Sequence, residues 1–259
     1  MEILLPIIIV LAIGLIAGLG LSVASIAFAV PTDEKAEKIR ECLPGANCGA
    51  CGFSGCDGYA AAIAKGECAP NLCAPGGAAA AAAIGKVLGV EVEAGVKKVA
   101  TVACNGNCEN APVKSDYKGI ASCAAANMLY SGTKECRYGC LGFGDCIAAC
   151  KFGAVSIVDG KAVVDKEKCT ACGACVKACP KGIISLVPDV PSHFVYCSNK
   201  DKGAAAMKVC KVSCIGCGKC AKECEFGAVT VENNLAVIDP EKCTNCGKCA
   251  ESCPKKCIL

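Results

Sequence analysis

The chain has 259 residues, of which 28 are cysteine, one is histidine and none is tryptophan. Its formal net charge of +3 is too small an excess to indicate a nucleic-acid partner. A high cysteine content is typical of small disulfide-linked secreted domains, but this chain is too long for that class. Because aromatic residues make up only 4% of it, we expect small modules built around inorganic centres rather than one large core.

The first element is an apolar segment without any charged residue, from residue 3 to residue 30. About 20 apolar residues cross a bilayer, so the segment predicts one transmembrane helix. A cleaved signal peptide is the competing interpretation, since residues 27–29 (AFA) resemble a cleavage site, but Glu2 stands where a signal peptide carries positive charge. Lys35 and Lys38 follow the segment, and the positive-inside rule therefore places the rest of the chain in the cytoplasm.

The first cysteine region has the spacing C-x2-C-x4-C-x16-C, with glycines between its first three cysteines. Glycine permits tight turns that leave backbone N–H groups free to face sulfur. A short helix is expected over residues 57–64, behind this loop. A zinc site would also use four thiolates, but the glycine-rich packing favours a [4Fe–4S] cluster. Its expected ligands are Cys48, Cys51, Cys56 and Cys73.

Residues 74–99 form a low-complexity stretch that we interpret as a linker or a short helix, and the domain 78–122 is a linker of uncertain structure. The pair Gly85–Lys86 lacks the spacing and the following Ser or Thr of a phosphate-binding loop. No dinucleotide fingerprint follows a predicted strand. We therefore expect no nucleotide site in this chain.

The rest of the chain contains an internal repeat with a constant offset of 74 residues and no gaps. The segment FGAVSI from Phe152 recurs as FGAVTV from Phe226, and each copy is one supersecondary unit used twice. The cysteines that recur in this way are Cys140, Cys146, Cys150, Cys169, Cys172, Cys175 and Cys179, matched by Cys214, Cys220, Cys224, Cys243, Cys246, Cys249 and Cys253.

Each copy places a predicted β-hairpin between two cysteine motifs. Apolar residues alternate around Asp159–Gly160 in the first copy and around Asn233–Asn234 in the second. This layout resembles a bacterial two-cluster ferredoxin, in which a C-x2-C-x2-C-x3-C-P run gives three thiolates to one cluster and its fourth to the other. The resemblance implies two ligand sets in the second copy, Cys214, Cys217, Cys220 and Cys253, and Cys243, Cys246, Cys249 and Cys224.

The first copy departs from this pattern, because Phe143 stands where the second copy has Cys217. We expect Cys136, four residues ahead of Cys140, to replace the missing ligand. The expected sets are Cys136, Cys140, Cys146 and Cys179, and Cys169, Cys172, Cys175 and Cys150.

Five [4Fe–4S] clusters then use twenty cysteines. The remaining eight are interpreted as buried free thiols, although three of them together leave a sixth cluster open. They are Cys42, Cys68, Cys104, Cys108, Cys123, Cys197, Cys210 and Cys257, the three being Cys104, Cys108 and Cys123.

The predicted fold class is α+β. The expected domains are a transmembrane helix (1–30), an N-terminal [4Fe–4S] domain (31–77), an uncertain linker (78–122), ferredoxin-like unit 1 (123–189) and ferredoxin-like unit 2 (190–259).

Three features together resemble one family. They are the uncharged N-terminal helix, the segments LPGANCGACGFSGC and NLCAPGG, and CRYGCLGFGDC ahead of the tandem units. In these three features the chain resembles, over essentially its whole length, B subunits of the Rnf complex. This complex is a membrane-bound ion-translocating ferredoxin:NAD+ oxidoreductase. The resemblance implies an electron-transfer subunit at the cell (inner) membrane that accepts electrons from reduced soluble ferredoxin. It also implies other Rnf subunits as electron acceptors and transport of Na+ or H+ by the complex.

Two other functions stay open at this point. A membrane-anchored polyferredoxin serving a hydrogenase or another dehydrogenase would carry the same motifs. A zinc-rich structural module would use the same thiolates but would be colourless, whereas five clusters predict a brown protein with about twenty irons.

Overall fold

The computed structural model describes residues 4–27, 33–93 and 95–259. Its helices are α1 (Leu4–Ala27), α2 (Glu34–Glu41), α3 (Cys56–Ala64), α4 (Gly77–Leu88), α5 (Cys123–Met128), α6 (Asp145–Ala148), α7 (Ala174–Ala178), α8 (Gly203–Val209), α9 (Lys219–Lys222) and α10 (Lys248–Glu251). Its strands are β1 (Lys98–Val102), β2 (Val155–Val158), β3 (Lys161–Val164), β4 (Ile184–Pro188), β5 (Val229–Glu232) and β6 (Leu235–Ile238).

Helix α1 confirms the predicted apolar helix. Its stretch Ile7–Ser25 has a mean hydropathy of 2.8 and is not buried against any other described part of the chain. Such a length of apolar helix is sufficient to cross a bilayer. The ends of the predicted membrane segment (1–3 and 28–30), which include most of the sequence that resembles a cleavage site, lie outside the described residues.

Helices α2, α3 and α4 pack together into an N-terminal module. Ile39, Tyr59, Ile63 and Ile84 are buried at its centre. Helix α3 covers the helix that was expected over residues 57–64. The first part of the stretch 78–122 is therefore not a free linker, because α4 packs against this module, and β1 farther along pairs with a strand of unit 1.

The two predicted hairpins are confirmed, β2 with β3 and β5 with β6, both antiparallel. Their two-residue turns have positive φ at both central residues, +48° and +73° at Asp159 and Gly160 and +50° and +61° at Asn233 and Asn234. Turns of this kind match the twist of antiparallel strands. Each hairpin therefore holds the cysteine motifs before and after it close together.

A second pairing closes each unit and links the two units to each other. Strand β1 pairs antiparallel with β4, and the N–H of Ala103 continues this pairing by donating to Ile183 O (2.8 Å). In unit 2 the antiparallel bridge between Val195 and Ile258 closes the unit in the equivalent way. The segments that follow these two pairings contact each other, since Asn105 N–H donates to the carbonyl oxygen of Tyr196 at 3.0 Å.

Candidate metal centres

Of the 28 cysteines, all of which lie in the described part of the chain, 24 gather into six groups of four, and each of the 28 is free of a disulfide. Five groups line cavities of about 310 to 340 Å³, a volume that counts the space at each cavity mouth. The sixth group lies in the N-terminal module. The groups are named site 1 (Cys48, Cys51, Cys56, Cys73), site 2 (Cys123, Cys140, Cys146, Cys179), site 3 (Cys150, Cys169, Cys172, Cys175), site 4 (Cys214, Cys217, Cys220, Cys253), site 5 (Cys224, Cys243, Cys246, Cys249) and the shared site (Cys104, Cys136, Cys197, Cys210).

The placement of four cysteines around a cavity bears on whether a site binds a single ion or a cluster. Tetrahedral zinc with Zn–S bonds of about 2.3 Å would bring its thiolates within about 3.8 Å of one another. A [4Fe–4S] cluster binds each thiolate to a different iron, so its four sulfurs surround a cube instead of meeting at a point. The arrangement fits clusters better than zinc.

Site 1 contains the four cysteines expected from their spacing. Burial raises the pKa of the Cys73 thiol, and the neighbouring thiols of Cys56, Cys48 and Cys51 raise it further. Cys51 and Cys73 pack against the same buried cluster as Cys56, which brings these cysteines together. The Asn47 side chain accepts a hydrogen bond from the N–H of Cys56 at 2.8 Å, which fixes the loop at the start of α3.

Tyr59 supports the segment that carries the last ligand of site 1. Its hydroxyl donates to Ala69 O and accepts from Leu72 N–H, both at 2.9 Å. Burial raises the pKa of Tyr59 to about 12, so the phenol stays neutral and keeps both bonds. Cys73, one residue beyond Leu72, is thereby held beside the loop of Cys48.

In both units a glycine lets the first cysteine loop pass close to the hairpin turn. A Cβ at Gly142 would lie 2.5 Å from the Gly160 oxygen, and one at Gly216 would lie 2.9 Å from the Asn234 oxygen. Both glycines also have positive φ, +80° and +64°. Only glycine fits this close approach without strain. The loop of each unit is thus pressed against its own hairpin.

Backbone N–H groups face the sulfurs of the sites in unit 1. Cys140 Sγ accepts from Ala162 N–H at 3.3 Å, and Cys169 Sγ accepts from Ala100 N–H at 3.3 Å. Burial raises the pKa of Cys146 to about 12, with further increases from the thiolates of Cys140 and Cys123. A thiolate in such a place is costly unless a cation is bound beside it, and iron would supply that charge.

Site 2 differs from the expected ligand set and corrects it. Cys140, Cys146 and Cys179 lie together as predicted, but the fourth cysteine lining their cavity is Cys123 and not Cys136. Cys136 lines the cavity of the shared site instead. The reason is that Cys136 lies at the cavity of the shared site, whereas Asp145 holds the start of α5, and with it Cys123, at site 2.

Two side chains hold α5 at site 2. The carboxylate of Asp145 accepts hydrogen bonds from the N–H groups of Cys123 (2.8 Å) and Ala124 (2.9 Å) and from the Ser122 hydroxyl (3.0 Å). Burial alone would raise the pKa of Asp145, but these donors lower it below its ordinary value. Phe143 packs edge-on against Tyr117 with ring centroids 5.4 Å apart, in the apolar cluster that includes Cys123.

The other expected ligand sets correspond to groups that the structure brings together. Sites 3, 4 and 5 each contain the four cysteines predicted from the ferredoxin layout. Cys257 also lines the cavity of site 4, with its sulfur 3.6 Å from that of Cys253. His193, the single histidine, lines the cavity of site 5.

The sequence analysis left Cys197 and Cys210 as free thiols, and it considered Cys104 and Cys123 only for an open sixth cluster together with Cys108. One signal was available. Cys123 and Cys136 are both matched by cysteines 74 residues later, Cys197 and Cys210. The repeat in the positions of these cysteines indicated that they are not incidental thiols.

Three models of protein families match parts of the chain. An Fe-S cluster domain matches residues 43–75, a 4Fe-4S binding domain matches residues 162–185, and a 4Fe-4S dicluster domain matches residues 213–257. Site 1 lies in the first match, and sites 4 and 5 lie in the third. Iron–sulfur domains are therefore present in the N-terminal module and in both units.

The chain is similar to B subunits of several redox complexes over most of its length. It is 49% identical to the B subunit of the Na(+)-translocating ferredoxin:NAD(+) oxidoreductase complex of Acetobacterium woodii, over 99% of this chain and 77% of the relative. It is 45% identical to the B subunit of the proton-translocating ferredoxin:NAD(+) oxidoreductase complex of Clostridium ljungdahlii, over 88% and 81%. The B subunit of the ion-translocating oxidoreductase complex of Methanosarcina acetivorans is 44% identical, over 95% and 96%.

Proposed function

This chain belongs to the family of B subunits of ion-translocating ferredoxin:NAD+ oxidoreductase (Rnf) complexes, and on that premise we propose how it serves as their electron-transfer subunit. It accepts electrons from reduced ferredoxin and relays them to partner subunits of the complex. The observation that carries this proposal is the set of four-cysteine sites, which continues from the N-terminal module through both units.

We propose five [4Fe–4S] clusters, one at each of sites 1 to 5, with Cys123 in place of Cys136 at site 2. When bound, such a cluster accepts and releases one electron at a time without making or breaking bonds to a substrate. The chain supplies the thiolates, the partial burial of the sites and the N–H donors that face sulfur. We assign it no catalytic residue and no nucleotide site, so the reaction with NAD+ takes place on another subunit.

The same proposal assigns a position at the cell membrane. Helix α1 anchors the chain as a single transmembrane span, and the cluster domains lie on the cytoplasmic side, where Lys35 and Lys38 follow the helix. The complex moves Na+ or H+ across this membrane. The relative from Acetobacterium woodii belongs to a Na(+)-translocating complex and the one from Clostridium ljungdahlii to a proton-translocating complex.

Exposed lysines beside the cluster motifs provide a surface for an acidic ferredoxin. Lys177 lies in α7 next to sites 2 and 3, and Lys219 begins α9 next to site 4. Both are exposed, and positive charge near a site increases the rate of encounter with a negatively charged partner. Ferredoxin oxidation by the complex is therefore expected to slow as the salt concentration rises.

The test is ferredoxin-dependent NAD+ reduction by membranes from cells that lack this subunit. We expect the activity to be lost and to return when the wild-type chain is supplied from a plasmid. A Cys48→Ser/Cys51→Ser variant of site 1, supplied in the same way, should insert into the membrane without restoring activity.

Unchanged NAD+ reduction in membranes without the subunit would contradict the proposal. Loss of hydrogenase activity in its place would favour the polyferredoxin alternative. Immunodetection of the variant in the membrane fraction is the control that separates a missing cluster from a missing protein.

A further inference from the structure

Four buried cysteines that belong to no ferredoxin motif surround a cavity between the two units. Cys104, Cys136, Cys197 and Cys210 are between 6% and 9% exposed, in the same range as the buried cysteines Cys140, Cys146, Cys214 and Cys220 of sites 2 and 4. Two of them come from the side of unit 1 and two from the side of unit 2. From this geometry we infer that the shared site binds a sixth [4Fe–4S] cluster, which joins the two ferredoxin-like units.

The four cysteines form two equivalent pairs. Cys136 and Cys210 each stand four residues ahead of the first cysteine of their unit, Cys140 and Cys214. Cys104 and Cys197 each stand two residues beyond the strand pairing that closes their unit, at Val102–Ile184 and Val195–Ile258. Each unit therefore contributes one thiol of each kind, and an approximate twofold arrangement surrounds the cavity.

The sulfurs of this site accept hydrogen bonds in the same paired manner. Cys104 Sγ accepts from Cys140 N–H at 3.3 Å, and Cys197 Sγ accepts from Cys214 N–H at 3.2 Å. The donors belong to ligands of sites 2 and 4. The shared site is thus one hydrogen bond away from a neighbouring cluster site on each side, which is the position required to join the two units.

Asn199 crosses from one unit to the other inside the site. It is 1% exposed, its N–H donates to Cys197 Sγ at 3.4 Å, and its side-chain nitrogen faces Cys136 Sγ at 3.9 Å. Its side-chain oxygen accepts from Asp201 N–H at 2.8 Å, which fixes the amide with its N–H2 group toward sulfur. Neutral buried thiols need no such donors, whereas thiolates on iron accept them.

Gly106 lies in the wall of the site, where an added Cβ would meet the Ala111 Cβ at 3.1 Å. A Cβ there would lie 3.5 Å from Cys104 Sγ and 3.6 Å from Cys210 Sγ. These two sulfurs, from different units, therefore flank the same glycine. The cavity behind it, at about 310 Å³, is similar in volume to the four cavities assigned to clusters, at about 310 to 340 Å³.

A buried lysine points to negative charge nearby. Lys134 is 3% exposed, and its ammonium donates to Gly106 O (2.9 Å) and Gly160 O (2.8 Å). Among the described residues, no carboxylate forms a salt bridge with it. A buried charge is costly without a partner. A cluster with four thiolate ligands is negatively charged, and Lys134 lies between the shared site and site 2, where it would balance that charge.

The inference rests on the proposed function in one respect, that the four-cysteine sites of this chain bind iron and sulfide. The experiment measures iron, acid-labile sulfide and zinc per polypeptide in the full chain, purified without oxygen, together with EPR of the dithionite-reduced protein. The test variant is Cys104→Ala/Cys197→Ala, which removes one thiol on each side. The matched control is Cys108→Ala, because Cys108 is an exposed thiol in the same loop as Cys104.

Six clusters predict about 24 irons and 24 sulfides in the wild type, and five predict about 20 of each. We expect about 24 in the wild type and in Cys108→Ala, and about 20 in the double variant, with one reduced-cluster signal lost. Wild-type protein with about 20 irons, none lost in the double variant, would overturn the sixth cluster while leaving the proposed function intact. Loss of one zinc in place of four irons would also overturn it, and protein without iron would refute both proposals.

A second variant keeps the test decisive if the double variant fails to fold. Cys197→Ser alone retains three thiolates at the shared site and a side chain of nearly the same size. We expect one cluster to lose an iron, giving a three-iron EPR signal in the oxidised protein that the wild type lacks. An oxidised spectrum and an iron content identical to those of the wild type would overturn the inference.

Discussion

The two ferredoxin-like units share a cysteine pattern with a 74-residue offset, yet they complete their first site in different ways. Unit 2 takes the middle ligand of site 4 from its own loop, as Cys217. Unit 1 has Phe143 at that position and brings Cys123 to site 2 from a separate helix. The same four-thiol geometry can therefore be built either by local spacing or by tertiary packing.

A second substitution accompanies the first. Asp145 in unit 1 aligns with Lys219 in unit 2, and only the carboxylate can accept the N–H groups that begin α5. Phe143, two residues earlier, packs against Tyr117 on the segment leading to that helix. Phe143 thus takes the place of a local ligand, and together with Asp145 in the same loop it holds the segment that supplies Cys123 in its place.

The largest expected effect comes from removing the imported ligand. Cys123→Ala should lose the cluster of site 2, which lowers the iron content by about four atoms per chain. Iron and sulfide analysis with EPR of the reduced protein measures this loss. Cys108→Ala is the control and should keep all of its iron. If Cys123→Ala keeps all of its iron too, Cys136 would be the better candidate for the fourth ligand.

Unit 1 can then be converted to the design of unit 2. Adding Phe143→Cys to Cys123→Ala restores a thiol at the position of Cys217, and we expect part or all of the four irons to return. The recovery need not be complete, because the contact between Phe143 and Tyr117 is lost. Phe143→Ala in the same background is the control and should restore nothing. Equal iron contents in the two double variants would show that the loops are not equivalent.

A smaller effect is expected where each loop passes its hairpin turn. Gly142→Ala adds a Cβ 2.5 Å from a backbone oxygen at φ +80°, and we expect it to destabilise unit 1 by about 2 to 4 kcal/mol. Gly216→Ala should cost unit 2 somewhat less, since its closest contact is 2.9 Å. The midpoint of guanidinium-induced bleaching of the iron–sulfur absorbance measures both.

The control for backbone strain is Gly182→Ala. Gly182 has φ +60° but open space around its Cβ position, so the substitution should cost only about 1 to 2 kcal/mol. Midpoints that are the same for Gly142→Ala and Gly182→Ala would mean that the contact with the hairpin turn contributes nothing.

The smallest expected effect is on the attachment of α5. Asp145→Ala removes the acceptor for the N–H groups of Cys123 and Ala124, at an expected cost of about 2 kcal/mol to unit 1. It should lower the bleaching midpoint of site 2 and accelerate iron loss to a chelator. Lys219→Ala changes the aligned, exposed residue of unit 2 and should stay within about 0.5 kcal/mol of the wild type. Equal chelation rates in the two variants would contradict the role given to Asp145.

The sequence predicted most of what depends on local spacing. Both hairpins were visible in the alternation of apolar residues around Asp159–Gly160 and Asn233–Asn234, and sites 1, 3, 4 and 5 follow from short intervals between cysteines. A chain that binds three thiolates within one loop has little freedom in where it places them. At sites 3, 4 and 5 this spacing determines three of the four cysteines, and the fourth, from the other motif of the unit, was assigned from the resemblance to two-cluster ferredoxins.

The exceptions are cysteines whose place depends on contacts between distant segments. Cys104 reaches the shared site because β1 pairs with β4. These two strands are more than eighty residues apart in the chain. Cys123 reaches site 2 because Asp145 holds α5 there. The replacement of Cys217 by Phe143 shows that a ligand is missing in unit 1, but it carries no information about which segment supplies the substitute.

The most direct test of this account is an iron-edge anomalous difference map from crystals of the full chain grown without oxygen. We predict six separate iron peaks, with Cys123 bound at site 2 and with Cys104, Cys136, Cys197 and Cys210 around a peak between the two units. A map with Cys136 bound beside Cys140 and no iron between the units would contradict it.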